Sequence, residues 1–270
     1  MSDPGRSAEG SVGYSPGEPP IGPAPGHRRS VRHELIWRIV QEALDLLITT
    51  AGRDALDVVD AGGGTGSLAV PIARLGHRVT VVDPSPDSLA ALARRAAEAR
   101  VTDRVRAVQG EAADLLGVLG PAAADLVLCH SVLEFVDDPR LALEAMARVL
   151  RPGGALSLVA ANRHAVVLAK VLGGHLSEAR AILDDPPPRW VTGDPLPRRF
   201  TAGQLRSAME EAGLMVLAEH GVRVFADLIP GPYADEPGAA DALLDLEAAA
   251  TQDPTFRALA TQIHLLARRP

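Results

Sequence analysis

The chain has 270 residues, 47% of them hydrophobic, with a formal net charge of −7 and a pI near 5.6. That length suits one large domain with insertions, and the acidic balance argues against a general nucleic-acid-binding surface while leaving a local basic patch open. The single cysteine, Cys129, excludes an intramolecular disulfide and a cysteine-based zinc site, and there is neither a signal-peptide pattern nor a membrane-length apolar run. The expectation is a cytoplasmic protein with no membrane span and no metal.

Residues 1–26 contain six prolines and six glycines, too little apolar surface to offset the entropy of ordering them, and read as a disordered tail. A single domain is expected over residues 27–270, with a lid-like insertion around 163–200. From Ser30, an expected N-cap, the residues Val31, Leu35, Ile36, Ile39, Val40, Ala43, Leu44 and Leu47 recur at helical spacing until Gly52. The start of this helix is basic, and Arg32 is the residue there expected to have a function.

Leu56 to Asp60 reads as a strand running into Ala61-Gly62-Gly63-Gly64-Thr65-Gly66, followed by a helical run from Ser67 to Leu75. Without Cβ atoms, such a turn lets backbone N–H groups approach a ligand at a helix N-terminus. Arg78 to Val82 forms a second apolar strand ending at Asp83, seventeen residues beyond Gly66, a spacing that suits a carboxylate gripping a ribose diol. A nicotinamide-type Gly-x-Gly-x-x-Gly fails because Ser67 stands at the third glycine position. The spacing Gly62-x-Gly64-x-Gly66 preceded by Asp60 instead resembles the glycine motif of the class I S-adenosylmethionine-dependent methyltransferases. In that class the first acid and the glycines hold the methionine part of the cofactor and the second acid holds the ribose.

Pro84 and Pro86 bracket the start of a helix over about 87–100, and Arg104 to Gln109 alternates as a third strand. In this architecture the turn after the third strand lies beside the adenine, which makes Ala112 and Ala113 candidate backbone contacts, with Asp114 nearby. Ala124 to Cys129 is an apolar strand that delivers His130 at its carboxyl end, where ligands of open parallel sheets sit. A helix over Pro139 to Leu150 ends in Arg151-Pro152-Gly153-Gly154, which forces a turn into a strand over Ala155 to Ala160. Strand–helix units in succession predict a parallel sheet with right-handed crossovers.

After Asn162 the chain reads as helical from Arg163 to Leu183 with a break at Gly173-Gly174, and then carries five prolines and Trp190 between Asp184 and Arg199. A long irregular loop in a compact enzyme is usually a lid or substrate wall. Thr201 is the expected N-cap of a helix ending before Gly213, Leu214 to Phe225 has strand character, a helix covers about Gly238 to Ala250, and Gln262 to Ala267 is a final strand.

Asp60-Ala61-Gly62-Gly63-Gly64, His130-Ser131-Val132-Leu133-Glu134-Phe135-Val136, Val149-Leu150-Arg151-Pro152-Gly153-Gly154, Gly221-Val222-Arg223-Val224-Phe225 and Ala242-Leu243-Leu244-Asp245-Leu246-Glu247 together resemble the bacterial tRNA carboxymethoxyuridine carboxyl methyltransferases. The likeness runs from about Gly26 to the C-terminus. It implies a Rossmann-like α/β fold, a mostly parallel seven-stranded sheet with helices on both faces and an antiparallel last strand. It also implies S-adenosylmethionine as cofactor, held by Arg32, Gly62, Gly63, Asp83, Ala112, Ala113 and His130 beside the acid Asp60 and Gly64 of the turn, and a tRNA substrate. The chain departs from the family at Pro186-Pro187-Pro188-Arg189, where a lysine-rich run is expected, and at Ala161, where an aromatic precedes the asparagine. Both changes subtract from an RNA-binding surface, since phosphate contacts supply much of the affinity for nucleic acid.

The expected chemistry is in-line methyl transfer, in which the protein aligns nucleophile and methyl in a water-poor pocket. A carboxylate acceptor is already ionised and asks only for orientation, for which Arg199 and Arg223 are candidates beside Trp190. A hydroxyl or amine acceptor would ask for a general base, and only His130 is placed for that. No catalytic base is assigned. Methylation of a small metabolite at oxygen or nitrogen, and a cofactor-binding protein without activity, are the alternative readings.

Overall fold

The computed structural model describes residues 25–184, 196–229, 236 and 238–270, with side chains from Val31 onward. Residues 1–24 of the expected tail and the lid stretch containing Pro186 to Trp190 lie outside these. Seven strands form one sheet: β1 (Asp57–Ala61), β2 (Arg78–Asp83), β3 (Val105–Gln109), β4 (Ala124–His130), β5 (Leu150–Ala161), β6 (Met215–Val222) and β7 (Gln262–Arg268), in the order β3-β2-β1-β4-β5-β7-β6. Strands β1 to β5 pair in parallel, and β7 is antiparallel to both β5 and β6. The last strand alone therefore runs against the rest, as the resemblance implies.

The central strands are buried on both faces, so their apolar residues alternate between two core layers. Val58, Leu126 and Leu128 pack with Ile36, Val40 and Leu44 of helix α1 (Pro25–Ala51) and with α2 (Ala69–Arg74) and α3 (Pro86–Glu98). Val59, Val127 and Cys129 face the other layer, built on α4 (Leu115–Leu119), α5 (Pro139–Val149) and α8 (Ala202–Glu211). Burial holds the Cys129 thiol protonated, well above its ordinary titration range, so it serves as a small apolar side chain.

Local signals fix the helix starts. Ser85 accepts the Ser88 N–H, Asp138 accepts those of Arg140 and Leu141, and Thr201 forms a reciprocal capping box with Gln204, each cap worth about 1 kcal/mol. The expected break at Gly173-Gly174 divides α6 (Arg163–Leu172) from α7 (Leu176–Asp184). Helices α9 (Ala239–Ala250) and α10 (Pro254–Arg257) precede β7. No helix among the described residues is long and apolar enough to cross a membrane.

The structure corrects several expected boundaries. Helix α1 begins at Pro25, ahead of Ser30, because proline is tolerated in a first turn whose N–H groups have no helical partner. Helix α2 begins at Ala69, because positive φ at Gly62, Gly64 and Gly66 prolongs the turn through Leu68. Strand β6 stops at Val222, where Arg223 adopts a φ of 61° and takes the chain out of the sheet. The buried Glu247 side chain holds the segment that follows, accepting the N–H groups of Val224, Phe225 and Ala226 at 2.8, 2.9 and 2.8 Å.

Helix α1 contributes Val31, Leu35, Ile36, Ile39 and Val40 to buried positions. Deleting the chain up to residue 40 is expected to lower the melting temperature sharply, since burying each large aliphatic side chain stabilises by about 1.5 to 3 kcal/mol. Deletion up to residue 24 removes none of these side chains and should leave the melting temperature unchanged. Equal thermal melts for the two truncations would show that α1 is not integral to the fold.

Candidate active site

The carboxyl ends of β1, β2, β4 and β5 form one rim, and the glycine turn closes over it. The Gly62 N–H donates to the Val82 carbonyl at 2.7 Å, which ties the end of β1 to that of β2. Asp83 then supports the turn from below: its carboxylate accepts the Gly64 N–H and the Ser85 N–H, both at 2.9 Å. A Cβ at Gly63 would lie 2.4 Å from the Asp60 carboxyl, so only glycine lets that acid pack against the turn. Asp60 is 4% exposed, and burial followed by the nearby charge of Asp83 pushes its carboxyl up to about 7.

Helix α1 delivers Arg32 to the same rim. The guanidinium donates to Gln262 Oε1 at 2.6 Å and to Ser131 Oγ at 3.0 Å, and Gln262 Nε2 closes the triangle by donating to Ser131 at 3.1 Å. Arg32, Asp60, Gly62, Gly63, Ser67 and His130 line a polar cavity of about 80 Å³. His130 Nε2 is engaged with Ser157 Oγ at 2.8 Å, while its Nδ1 is buried with no partner among the described residues. Burial, with Arg32 close by, lowers the His130 imidazole to about 3.

At the far side of Asp83 the Gly110 N–H donates to the Asp83 carbonyl at 3.3 Å. This places the single 3₁₀ turn Ala112–Asp114 next to the second acid. Ala112 is buried there and Ala113 and Asp114 are exposed. Arg32, Asp60, Gly62, Gly63 and His130 thus line one cavity, Gly64 and Asp83 are joined by a hydrogen bond next to it, and Ala112 and Ala113 follow Gly110 beyond Asp83.

A second, larger cavity of about 570 Å³ lies on the other side of Gln262. Helix α6 supplies an apolar wall of Ala165, Val166, Leu168, Ala169 and Leu172, and the polar part comes from Asn162, Arg199, Arg223, Asp227, Thr261 and Gln262. Since Gln262 lines this cavity and its hydrogen-bond partner Arg32 lines the small one, the Arg32–Gln262–Ser131 triangle is a shared wall. Arg223 is not an unpaired cation, because its guanidinium is paired with the Asp227 carboxylate, which also accepts the Thr261 hydroxyl at 2.6 Å. Trp190, expected in this wall, lies outside the described residues. Arg198 donates to the carbonyls of Val136 and Asp137, so it fastens the segment before α8 to the chain after β4 and does not line the cavity with Arg199.

Residues 59–158 match the family described as a methyltransferase domain. The chain is 34% identical over 241 residues to tRNA 5-carboxymethoxyuridine methyltransferase of Escherichia coli (strain K12), covering 89% of this chain and 88% of that protein. The chain belongs to the class I S-adenosylmethionine-dependent methyltransferases. A shorter match, 34% identical over 133 residues and covering 48% of this chain and 54% of the relative, is to ubiquinone biosynthesis O-methyltransferase of Xanthomonas campestris pv. campestris (strain B100). The crystal structure of magnesium protoporphyrin IX methyltransferase from Synechocystis PCC 6803 with bound SAH superposes with a TM-score of 0.59 at 16% identity, covering 91% of this chain and 86% of that one. This last likeness is one of fold.

The methyltransferase therefore uses S-adenosylmethionine, and its own geometry suits that molecule. A Cβ at Gly62, Gly63 or Gly66 would run into Val132, Asp60 or Leu92, so the glycines let the turn pack closely over the strand ends with its backbone at the rim, where His130 Nδ1 is buried without a partner among the described residues. The structure also alters one expectation about His130. An imidazole held at about 3 is a weak proton acceptor, so the residue is poorly suited to be the general base that a hydroxyl or amine acceptor would need.

Several site residues escape the sequence reading. Gln262 and Ser131 complete the Arg32 triangle, and Glu134 is buried at 1% exposure with Oε1 accepting the Ala161 N–H at 2.7 Å. Its Oε2 has no partner among the described residues, and burial raises its carboxyl above the ordinary range despite the charges of Arg32 and Arg199. Asn162 is similarly occupied, capping α6 through the His164 N–H while donating to the carbonyls of Ala258 and Ala260 at 3.0 and 2.8 Å. Glu134 stands in the His130 motif and Gln262 opens the last strand. Those motif positions were the only signals available in the sequence.

Proposed function

We propose that this methyltransferase esterifies a carboxylate on a modified wobble uridine of tRNA, in the cytoplasm. The observation that carries the reading is the 34% identity over 89% of the chain to a protein named for that reaction. Asp60 and the glycine turn are assigned the methionine end of the cofactor, with Arg32 and His130 holding its carboxylate, and Asp83 is assigned the ribose. Ala112 and Ala113 are assigned the adenine edge. When bound, the cofactor supplies a methyl group on a positively charged sulfur.

The chain's own residues do the remaining work by orientation. A carboxylate substrate arrives ionised, so no side chain has to remove a proton, in keeping with a rim whose His130 is a poor base. Arg199 and Arg223 line the large cavity and supply planar donor sets for the carboxylate oxygens, with Asp227 setting the direction of Arg223. The apolar face of α6 lines the large cavity, which favours alignment of the substrate over competition by solvent.

The other reading, a small carboxylic acid as substrate, is favoured by the acidic composition and the largely apolar lining of the large cavity. Salt dependence separates the two. With tRNA, turnover at subsaturating substrate should fall steeply between low and moderate ionic strength while cofactor affinity barely changes, because each phosphate contact adds to the slope; a shallow dependence supports the small acid. Arg223→Lys keeps the charge and loses the planar fork, and is expected to reduce turnover by roughly tenfold with cofactor affinity unchanged. Full turnover in that variant would remove Arg223 from the substrate site.

A further inference from the structure

A chain of hydrogen bonds leaves the site and crosses the sheet to its edge. His130 Nε2 lies 2.8 Å from Ser157 Oγ, which lies 2.9 Å from His264 Nε2. His264 Nδ1 is 3.0 Å from His220 Nδ1, and His220 Nε2 is 3.3 Å from Gln252 Nε2. Strand register assembles these groups: His130 stands opposite Val159, Val159 opposite His264, and His264 opposite His220. Ser157 lies two residues before Val159 on the same face of β5. Ser157, His264 and His220 are all buried, and Gln252 is exposed at the edge.

Burial holds His264 and His220 below their ordinary range, as it does His130, and Arg257 adds to the effect at His220. Each ring is therefore neutral, with one N–H and one lone pair, and the serine hydroxyl has a single proton. Such a chain is self-consistent in only two senses. The Gln252 amide nitrogen facing His220 can only donate, so His220 accepts at Nε2 and donates from Nδ1. His264 then accepts at Nδ1 and donates from Nε2, and Ser157 accepts that proton and donates its own to His130 Nε2. The remaining proton of His130 must sit on Nδ1, the buried nitrogen without a partner among the described residues.

We propose that Ser157, His264, His220 and Gln252 are positioning residues that lock His130 as its Nδ1–H tautomer, giving the small cavity beside Arg32 and Asp60 a fixed hydrogen-bond donor. The role of that donor rests on the reading that the cofactor's methionine carboxylate occupies the cavity. In the opposite sense of the chain, His130 would turn a lone pair toward that carboxylate.

The test is two-bond ¹H–¹⁵N correlation on the full-length protein labelled with ¹⁵N-histidine at about pH 8, which separates Nδ1–H from Nε2–H tautomers. Wild type is expected to show Nδ1–H for His130 and His220 and Nε2–H for His264. Gln252→Glu replaces the terminal donor by an acceptor and should invert all three tautomers, with affinity for S-adenosylmethionine falling about tenfold. Gln252→Lys keeps a donor at the edge and should preserve both the pattern and the affinity. An Nε2–H His130 in wild type, or an unchanged pattern in Gln252→Glu, overturns the proposal. Inverted tautomers with unchanged affinity would overturn the role of His130 as a cofactor donor. Whether the cofactor occupies this rim at all is read separately from Asp83→Ala.

Discussion

Asp83→Ala is expected to weaken S-adenosylmethionine binding ten- to a hundred-fold, the equivalent of about 1.5 to 3 kcal/mol for lost hydrogen bonds to a charged acceptor. Two of the carboxylate's acceptor positions are already filled by Gly64 and Ser85, which fixes its orientation, and the remaining lone pairs are those the proposal assigns to the ribose diol. The same two bonds make Asp83 a support for the glycine turn, so part of the loss comes from a looser turn. Denaturant unfolding of the variant without ligand distinguishes the contributions. Titration calorimetry showing unchanged affinity would remove Asp83 from the cofactor site.

Asp60→Asn is expected to act in opposite directions on stability and on binding. The folded-state carboxyl of Asp60 sits at about 7, above the roughly 3.9 of an unfolded aspartate. Between about pH 4 and pH 7 the folded chain holds a proton that the unfolded chain has released, so wild-type stability falls as pH rises through this window and levels off above it. Three pKa units correspond to an upper bound of about 4 kcal/mol. Replacement by the neutral amide removes this penalty: the variant should be as stable as wild type near pH 4 and clearly more stable at pH 8. It should also bind S-adenosylmethionine more weakly, because an amide cannot offer a full negative charge to the ligand's ammonium. Urea midpoints measured across that pH range test the claim, and parallel curves for the two proteins would contradict it.

The parts of the site that the sequence shows are those encoded within a short stretch. The glycine turn can be read because Gly62, Gly64 and Gly66 all require positive φ, and the two acids can be read because each ends an apolar strand. The Thr201 cap and the Gly173-Gly174 break are equally local, and both stand where the residues place them. What the sequence hides depends on contacts between distant segments. Arg32 and Gln262 are 230 positions apart, and Ser157 and His264 are 107 apart; only the order of β4, β5, β7 and β6 brings them together. The weak basicity of His130 is hidden for the same reason, since the residue type suggests an ordinary imidazole and burial decides otherwise. The pairing of Arg223 with Asp227 depends on a left-handed residue outside a strand end, held by Glu247 from another helix.

Methyl transfer to tRNA tests the central claim most directly. Purified protein is incubated with methyl-labelled S-adenosylmethionine and total tRNA from cells lacking the carboxyl-methylating activity, and the digested nucleosides are resolved by mass spectrometry. The account predicts one added methyl on a wobble uridine bearing a carboxylate, as an ester released by mild base. Absence of label from tRNA, with label appearing instead on a small carboxylic acid from the same cells, would contradict it.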